Sequence, residues 1–272
     1  MEHITSRKNE TVRAAAELRR ASVRRGQGAF LCEGARLCTD AAISGLSMRA
    51  LFYTQRAEQK YAPYLEKIRP LAEKIYLLEP AVADLLADTK NSQEVFCVCD
   101  MPTQACVTPQ QFYAKPAAGM CVALEQLQDP SNLGTILRTA EALGIGQILL
   151  CGECCDPFSP KALRGGMGAA FRLSLVRLPA LPEALPHLRR AGWRTLAAVP
   201  DASAAKVTKT RFDVPTVMAV GNEGSGLLPE TIRACSGCVT IPMSGRAESL
   251  NASASAAILM WEMTRECGDE RG

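Results

Sequence analysis

Residues 216–226 read TVMAVGNEGSG, and this stretch decides the fold. Its first half, TVMAV, is apolar and partly β-branched, which predicts a buried strand. Its second half, GNEGSG, carries three glycines, which predict a loop whose backbone can take positive φ angles and approach a ligand closely. Because ligands of α/β sheets bind at the carboxyl ends of the strands, this loop is a candidate ligand site. Glycines at this density also make ordinary turns, so the loop alone leaves both interpretations open.

Two further stretches show the same order of strand, loop and helix. Residues 238–243 read CVTIPM, and residues 248–251, ESLN, precede a predicted helix that begins at Ala252. Pro242 fixes φ and has no N–H to donate, which favours the end of a strand. We expect these loops to share one site with the first. Their glycine spacing is neither a Rossmann nor a Walker pattern, so it does not support binding of a dinucleotide or of ATP phosphates.

Apolar runs alternate with helical patterns from residue 118 onward. The predicted strands are Met120 to Leu124, Gln147 to Cys151, Arg172 to Val176, Arg194 to Val199, Thr216 to Val220 and Cys238 to Ile241. The predicted helices are Asn132 to Leu143, Pro182 to Ala191, Leu228 to Cys235 and Ala252 to Glu266. This alternation predicts an α/β fold with a mainly parallel sheet covered on both faces.

The first hundred residues repeat the alternation on a smaller scale. The predicted helices are Asn9 to Arg20, Gly34 to Ser44 and Pro80 to Ala87, and the predicted strands are Ala29 to Cys32, Arg49 to Tyr53, Lys74 to Leu78 and Glu94 to Cys99. Prolines without periodicity then mark a linker. We therefore predict a small α/β domain over residues 1–101, a linker over 102–117 and a larger α/β domain over 118–272.

Composition limits the function only loosely. The chain has 272 residues, 47% of them apolar, and a net charge of +3, which is too small to indicate a polyanionic partner by itself. No run approaches the ~18 apolar residues of a membrane span, and the N-terminus lacks the apolar core of a signal peptide. We therefore expect a cytoplasmic protein without a membrane partner. With only His3 and His187, hydrolysis by a Ser-His-Asp triad is not indicated.

Twelve cysteines include two C-x-x-C pairs, at Cys151 and Cys154 and at Cys235 and Cys238. Four thiolates can form a tetrahedral zinc site. The two pairs lie far outside the spacing of zinc fingers and ribbons, so buried, free thiols are the favoured interpretation and no metal is expected.

Residues 127–140, LQDPSNLGTILRTA, predict an amphipathic helix. At 100° per residue the apolar side chains share one arc, whereas Asn132 and Arg138 fall on the opposite, polar arc. An arginine on such a face is either simply solvated or able to grip a phosphate through its two parallel N–H donors.

The stretches 127–140, 216–226 and 238–251, in this order, closely resemble the three signature motifs of the SpoU (TrmH) family of RNA ribose 2'-O-methyltransferases. The resemblance spans roughly residues 118–266. It implies an α/β fold with a deep trefoil knot, S-adenosylmethionine as the methyl donor and a homodimer.

The resemblance also implies roles for particular residues. Arg138 matches the residue that activates the 2'-hydroxyl, and the accompanying polar site residues are Asn132, Glu223, Ser249 and Asn251. The cofactor is expected on the segment around Gly221, Ile241 and Leu250, together with Met243 and Ala198. A guanidinium with a pKa above ~12 is a poor base, so we interpret Arg138 as orienting the hydroxyl and the RNA phosphate. Ser249 and Asn251 can also cap the last helix.

The N-terminal part carries a local excess of basic residues, with eight Arg or Lys against four acids in residues 1–36. Residues 6–9, SRKN, and 30–34, FLCEG, resemble an L30e-like RNA-binding domain. This resemblance implies RNA contacts by Arg7, Lys8 and a basic turn with Arg24 and Arg25, although a solvated helix face gives the same pattern. The extra domain favours ribosomal RNA as substrate. A tRNA methyltransferase and a non-catalytic RNA-binding ribosome-assembly factor on the same fold are the alternatives.

Overall fold

A computed structural model describes residues 1–102, 107–246 and 249–265. The chain forms two compact units: unit 1 contains residues 1–102 and 156–171, and unit 2 contains the described residues of 107–155 and 172–265. The sequence alone placed residues 156–171 in the larger domain, whereas their contacts assign them to unit 1. Glu248, the predicted helix end at Glu266 and linker residues 103–106 lie outside the described residues.

The strands of the described chain are labelled in sequence order. They are β1 (Glu2–Ile4), β2 (Ala29–Glu33), β3 (Met48–Thr54), β4 (Ile75–Leu78), β5 (Val95–Asp100), β6 (Met120–Glu125), β7 (Gln147–Cys151), β8 (Ser174–Leu178), β9 (Arg194–Ala198), β10 (Ala205–Lys206), β11 (Thr216–Val220) and β12 (Gly237–Thr240). The strand predicted from Arg172 starts two residues later, because a short 3₁₀ turn over Ala169–Phe171 precedes it.

The α-helices are labelled in the same way. They are α1 (Glu10–Glu17), α2 (Ala21–Gln27), α3 (Ala35–Ile43), α4 (Gln55–Lys60), α5 (Ala62–Ile68), α6 (Pro80–Ala83), α7 (Pro109–Tyr113), α8 (Pro130–Ala142), α9 (Pro160–Gly166), α10 (Leu181–Arg190), α11 (Pro229–Ala234) and α12 (Ala252–Thr264). Helix α7 lies in the stretch that was predicted as a linker. It begins with a capping box at Thr108 and buries Phe112 against the ring of Trp193.

Unit 1 is built on a five-stranded mixed sheet of order β1-β4-β3-β5-β2. Strands β1, β4 and β3 are parallel, and β5 pairs antiparallel with both β3 and β2. The helix predicted from Asn9 to Arg20 is confirmed as α1, which Asn9 caps, although it already ends at Glu17. The predicted basic turn is wrong, because Arg24 and Arg25 lie in helix α2, which Gly28 ends with a left-handed φ of 59°.

Unit 2 is built on a seven-stranded sheet of order β10-β12-β9-β11-β6-β7-β8, in which every strand pair is parallel. Its central strands are buried on both faces, as the sequence predicts. Cys121, Ala123 and Val217 pack with α10 on one side, while the alternate residues Val122 and Met218 on the other side are also buried.

The strand order locates the ligand site. After β6, the chain adds β7 and β8 on one side, and β9, β11 and β12 are placed on the other. The direction in which strands are added thus changes between β6 and β11, whose following loops lie side by side at the carboxyl edge of the sheet. Such a switch point leaves a crevice in which α/β proteins bind ligands.

Candidate active site

A cavity of ≈ 280 Å³ opens at the carboxyl ends of β9, β11 and β12. Its wall consists of the loops after these strands and the first turns of α12. All five residues predicted to hold a cofactor contribute to this wall: Ala198, Gly221, Ile241, Met243 and Leu250. Two of the predicted polar residues, Glu223 and Ser249, lie there as well.

The loop after β11 closes on itself. Asn222 and Gly226 exchange two backbone N–H···O hydrogen bonds of 3.0 Å. A Cβ atom on Gly221 would lie 2.1 Å from the carbonyl carbon of Gly226, so only glycine fits there. The positive φ expected in this loop occurs at Gly226, where φ is +71°. Gly221 is thus required by the close approach of the loop's own backbone.

Asn222 joins this loop to the one after β6. Its amide nitrogen donates to the carbonyl oxygen of Gln126 at 2.8 Å, and its Oδ1 accepts from the backbone N–H groups of Gly224 and Ser225 at 2.9 and 3.1 Å. This role of Asn222 was not predicted from the sequence. The Asn-x-Gly-Ser pattern was the available signal, because Asn side chains close turns by bonding to backbone N–H groups two residues on.

Glu223, Asn132 and Asn251 form a chain of hydrogen bonds across all three motifs. Asn132 Nδ2 donates to Glu223 Oε1 at 3.0 Å, and Asn251 Nδ2 donates to Asn132 Oδ1 at 3.1 Å. The backbone N–H groups of Gln128 and Asp129 donate to the same carboxylate at 3.2 and 3.0 Å. Three of the predicted catalytic residues are thus brought together in unit 2.

Asn132 and Arg138 were both assigned to the polar arc of α8, but they differ in exposure. Only 7% of the Asn132 surface is exposed, whereas Arg138 is exposed. The sequence did not predict that Asn132 is buried by polar partners. Burial is tolerated because both ends of the amide are hydrogen-bonded, to Glu223 and Asn251.

The Glu223 carboxyl is held in its charged form. Partial burial alone raises its pKa, but the hydrogen bonds from Asn132 and from the backbone N–H groups outweigh this effect and lower the pKa. Glu223 is consequently an anion at neutral pH, and its oxygens serve as fixed acceptors for the loop that precedes α8.

Glu125 is a second carboxylate of this region, which the sequence analysis did not select. Only 2% of its surface is exposed, at the end of β6. Its two oxygens accept from the backbone N–H of Leu228 at 2.9 Å and from the Thr231 hydroxyl at 2.6 Å. Glu125 thereby fixes the start of α11, directly after the cavity loop.

Arg138 lies on the solvent side of α8, six residues after Asn132. Among the described residues its guanidinium has no hydrogen-bond or ion-pair partner. Its five N–H donors are therefore open to an external acceptor such as a phosphate. The structure does not bring Arg138 into the hydrogen-bond chain of Glu223.

Asn251 caps α12 and also reaches α8. Its Oδ1 accepts from the backbone N–H of Ser253 at 2.9 Å and so caps α12, while its Nδ2 bonds to Asn132. The predicted cap is confirmed for this residue, and its role in the site stays a prediction. Ser249 contributes to the cavity wall instead.

Three of the four residues predicted to contact RNA in unit 1 are exposed: Arg7, Lys8 and Arg25. The prediction for Arg24 is wrong, because only 2% of its surface is exposed. Its guanidinium pairs with Asp156 at 2.6 Å and donates to the carbonyl oxygens of Leu18 and Arg19. Arg24 therefore holds unit 1 together.

The cysteines of the two C-x-x-C pairs are free thiols. Burial raises the pKa of Cys151, and it raises that of Cys235 to about 12, so both stay protonated at neutral pH. Within residues 1–102, 107–246 and 249–265, no cluster of three or more His, Cys, Asp or Glu side chains is arranged to hold a metal ion. Over the same residues no helix is long and apolar enough to cross a membrane.

Comparison with known proteins shows similarity over almost the whole chain. Residues 119–261 match the SpoU rRNA Methylase family, and residues 9–97 match the MRM3-like substrate binding domain. An uncharacterized tRNA/rRNA methyltransferase of Synechocystis sp. is 32% identical over 97% of this chain and 93% of its own. The 23S rRNA (uridine(2479)-2'-O)-methyltransferase of Streptomyces viridochromogenes is 30% identical over 97% of this chain and 92% of its own.

A solved structure gives the same result for the fold. The AdoMet-bound rRNA methyltransferase from Sinorhizobium meliloti is 28% identical and superposes with a TM-score of 0.82. The superposition covers 97% of this chain and 98% of that one. The similarity thus includes both units and is not confined to the motif loops.

Proposed function

Since the chain belongs to the SpoU rRNA methylase family, we propose that it transfers a methyl group from S-adenosylmethionine to a ribose 2'-hydroxyl of ribosomal RNA. The observation that carries this proposal is the meeting of three sequence motifs, two of which line the cavity while the first is hydrogen-bonded to both. The hydrogen-bond chain of Glu223, Asn132 and Asn251 fixes all three relative to one another. A catalytic site needs this kind of fixed geometry.

The cavity fits S-adenosylmethionine. Its wall offers apolar side chains, among them Ile232, Val239, Ile241 and Leu259, together with the bare backbone of the Gly221 loop. Apolar walls with a few polar groups are typical of small-molecule sites. When bound, S-adenosylmethionine supplies an electrophilic methyl group on its sulfonium. The residues that would hold it are Ala198, Gly221, Ile241, Met243 and Leu250.

The protein's own contribution is positioning. Arg138 presents its fork of N–H donors to the RNA phosphate and to the 2'-hydroxyl, and it orients that oxygen for an in-line approach. Glu223 stays ionised and holds the backbone before α8 through the N–H groups of Gln128 and Asp129. The hydrogen bond between Asn132 and Asn251 fixes the start of α8 relative to the start of α12. Arg138 therefore projects from a helix whose position is fixed.

A homodimer is the quaternary structure that we propose, as the family resemblance implies. Helix α12 supports it, because Ala254, Ile258 and Trp261 form an exposed stripe at helical spacing. Ile258 is 38% exposed and Trp261 57% exposed. A large aromatic residue with so much exposed surface is typical of an interface. The deep trefoil knot remains a prediction of the same resemblance.

Ribosomal RNA is preferred to tRNA because the relative from Streptomyces viridochromogenes is named a 23S rRNA methyltransferase. The match of residues 9–97 to a substrate binding domain supports a role of unit 1 in RNA binding. The proposed substrate supports action in the cytoplasm. A non-catalytic assembly factor has no need of Arg138, Glu223 and Asn251 together.

The test is a methyl-transfer assay with purified full-length protein, S-adenosylmethionine carrying a labelled methyl group, and ribosomal RNA or tRNA from cells that lack the protein. We expect label in ribosomal RNA, at a ribose whose methylation is missing from those cells. Label in tRNA alone would transfer the proposal to the alternative substrate. Absence of label from both RNAs, despite cofactor binding, would support the assembly factor.

A further inference from the structure

Unit 1 contains a cavity of ≈ 580 Å³ that the three motifs of unit 2 do not explain. We call it the Gln93 pocket and define it by Arg36, Leu37, Lys90, Asn91, Gln93 and Leu163. Its apolar side is formed by Leu37 and Leu163, which are buried, and by the partly buried Met167. Its rim is polar and basic. A pocket of this size, with an apolar wall and a few polar groups, is typical of a ligand site.

The acidic groups near the pocket are already paired. Glu33 accepts from the Thr89 hydroxyl at 2.5 Å and from the backbone N–H of Asp88 at 2.8 Å. Asp88 forms an ion pair of 2.7 Å with Arg164. By contrast, Arg36 and Lys90 are exposed and have no partner among the described residues. The rim therefore presents two uncompensated positive charges to an anionic ligand.

Gln93 itself is oriented for recognition. Its Oε1 accepts from the backbone N–H of Ala35 at 2.8 Å, which leaves its Nε2 donors without a partner among the described residues. The next residue, Glu94, has a left-handed φ of 54° and is held by the Thr54 hydroxyl at 2.5 Å. Non-glycine residues in this conformation are concentrated at functional sites.

A second, smaller cavity adjoins the first at Gln93. It is lined by Arg56, Lys60 and Tyr61, and the Lys60 ammonium lies 5.3 Å from the centre of the Tyr61 ring. Because Arg56 is paired with Glu94 at 2.5 Å, Lys60 provides the positive charge beside the Tyr61 ring. Basic side chains beside flat or aromatic surfaces are the features that bind single-stranded nucleic acid.

We propose that the Gln93 pocket binds one unstacked nucleotide of the substrate RNA. The base lies on Leu37, Leu163 and Met167 and accepts a hydrogen bond from Gln93 Nε2, and the adjoining phosphates lie on Arg36 and Lys90. RNA is recognised through such splayed-out bases, because the major groove of its helix is too narrow for side chains to read. This inference rests on the proposed function, which makes RNA the substrate.

The test measures binding of full-length protein to two RNA hairpins of equal length, one with a single bulged 2-aminopurine and one fully paired. We expect the wild type to prefer the bulged hairpin by about tenfold or more, the size of one base contact. Asn91→Trp fills the pocket mouth without changing the charge, so it should abolish this preference and leave the salt dependence unaltered. Gln93→Glu serves as the second variant, since it keeps the acceptor for Ala35 but removes the donors.

Charge reversal tests the phosphate contacts. Arg36→Glu with Lys90→Glu should weaken binding of both hairpins and make the slope of log K against log salt shallower by roughly 0.7 for each lost contact. The matched control is Lys67→Glu with Lys74→Glu, two exposed lysines of the same unit, which should bind within about threefold of wild type. Unfolding midpoints are compared for all variants.

The outcomes separate this inference from the proposed function. If the wild type does not prefer the bulged hairpin, or if Asn91→Trp and Gln93→Glu both retain the preference while folded, the pocket proposal is overturned. Methyl transfer to ribosomal RNA by the wild type would still uphold the proposed function. A pocket-dependent preference without any methyl transfer would overturn the function and leave the nucleotide site standing.

Discussion

The side chain of Asn251 donates to Oδ1 of Asn132 at 3.1 Å, across 119 residues of sequence. The same Asn251 caps α12, and the same Asn132 donates to Glu223. These hydrogen bonds between two amides and one carboxylate therefore connect the start of α12, the first turn of α8 and the cavity loop. Loss of Glu223 or of Asn251 leaves one end of the buried Asn132 amide unpaired, which destabilises a protein by about 1–3 kcal/mol.

Removal of the Asn132 amide should change the dependence of stability on pH. Because the pKa of Glu223 is lowered on folding, its stabilising effect is full above the ordinary pKa near ~4.3 and is lost as the pH falls through the folded value. In Asn132→Ala the burial that raises this pKa is less opposed, so the folded pKa lies closer to the ordinary value and less stability should be lost as the pH falls. Urea unfolding between about pH 3 and 6 measures this, with Glu223→Gln as the variant that lacks the titrating group. Parallel curves for wild type and Asn132→Ala would contradict the prediction.

Three glycine-to-alanine variants of the cavity loop should differ in cofactor binding and stability, according to the space and the φ angle at each glycine. Gly221→Ala places Cβ 2.1 Å from Gly226 and should abolish cofactor binding. Gly226→Ala meets nothing within 4 Å but has a φ of +71°, so it should destabilise by about 1–2 kcal/mol. Gly224→Ala is the control, because its nearest neighbour is at 3.6 Å and its φ is not positive. Calorimetric titration with S-adenosylmethionine compares the cofactor affinities, and urea unfolding compares the stabilities. Equal affinities and equal stabilities for all three variants would refute the prediction.

Arg138→Ala should reduce single-turnover methyl transfer by ~10²–10⁴-fold, the usual contribution of an orienting or proton-transfer group, with the fold and cofactor affinity intact. Arg138→Lys should restore little, because an ammonium cannot reproduce the guanidinium fork. Arg233→Ala, another exposed helical arginine of unit 2, is the matched control and should be active. A rate for Arg138→Ala within threefold of wild type would remove Arg138 from the mechanism.

Arg24 and Arg25 are neighbours in sequence and should behave oppositely. Arg24→Ala leaves Asp156 without its buried partner and should lower the free energy of unfolding by about 3–5 kcal/mol. Arg25→Glu changes an exposed side chain and should alter stability by under about 0.5 kcal/mol, while it weakens RNA binding in low salt. Denaturant unfolding and a salt series distinguish them. If Arg24→Ala is as stable as wild type, the ion pair has no structural role.

The proposed dimer predicts that the apolar stripe of α12 is covered in solution. Trp261→Glu replaces the most exposed large apolar residue of that stripe by a charge and should convert a dimer into a monomer at micromolar concentration. Tyr64→Glu, a partly exposed aromatic of unit 1, is the control and should leave the assembly unchanged. Sedimentation equilibrium of the full-length protein measures the masses. A monomeric wild type would exclude the dimer.

The strands of unit 2 could be predicted from the sequence because their signal is local. Strands β7 and β11 begin and end where the apolar runs begin and end. The motif loops could be placed at one edge because parallel strands share a direction. The five residues assigned to the cofactor lie in one cavity wall for the same reason.

Other features depend on partners that are distant in sequence. Periodicity assigns Asn132 to an exposed arc, and only the carboxylate of Glu223, 91 residues later, makes its burial favourable. Arg24 has the sequence context of a solvated helix, but its counter-ion Asp156 lies 132 residues downstream. The requirement for Gly221 comes from the fold of its own loop, since its φ is not positive.

The membership of residues 156–171 in unit 1 has a consequence for the order of biosynthesis. Phe30, which is fully buried, packs against Phe158 and Phe171 with ring centres at 5.0 and 5.5 Å. These rings leave the ribosome roughly 70 residues after residue 102, which takes several seconds at about 5–20 residues per second. During that interval β6 and β7 are synthesised. The N-terminal unit therefore cannot complete its core before the second unit has begun to form, and the two mature during overlapping periods of translation.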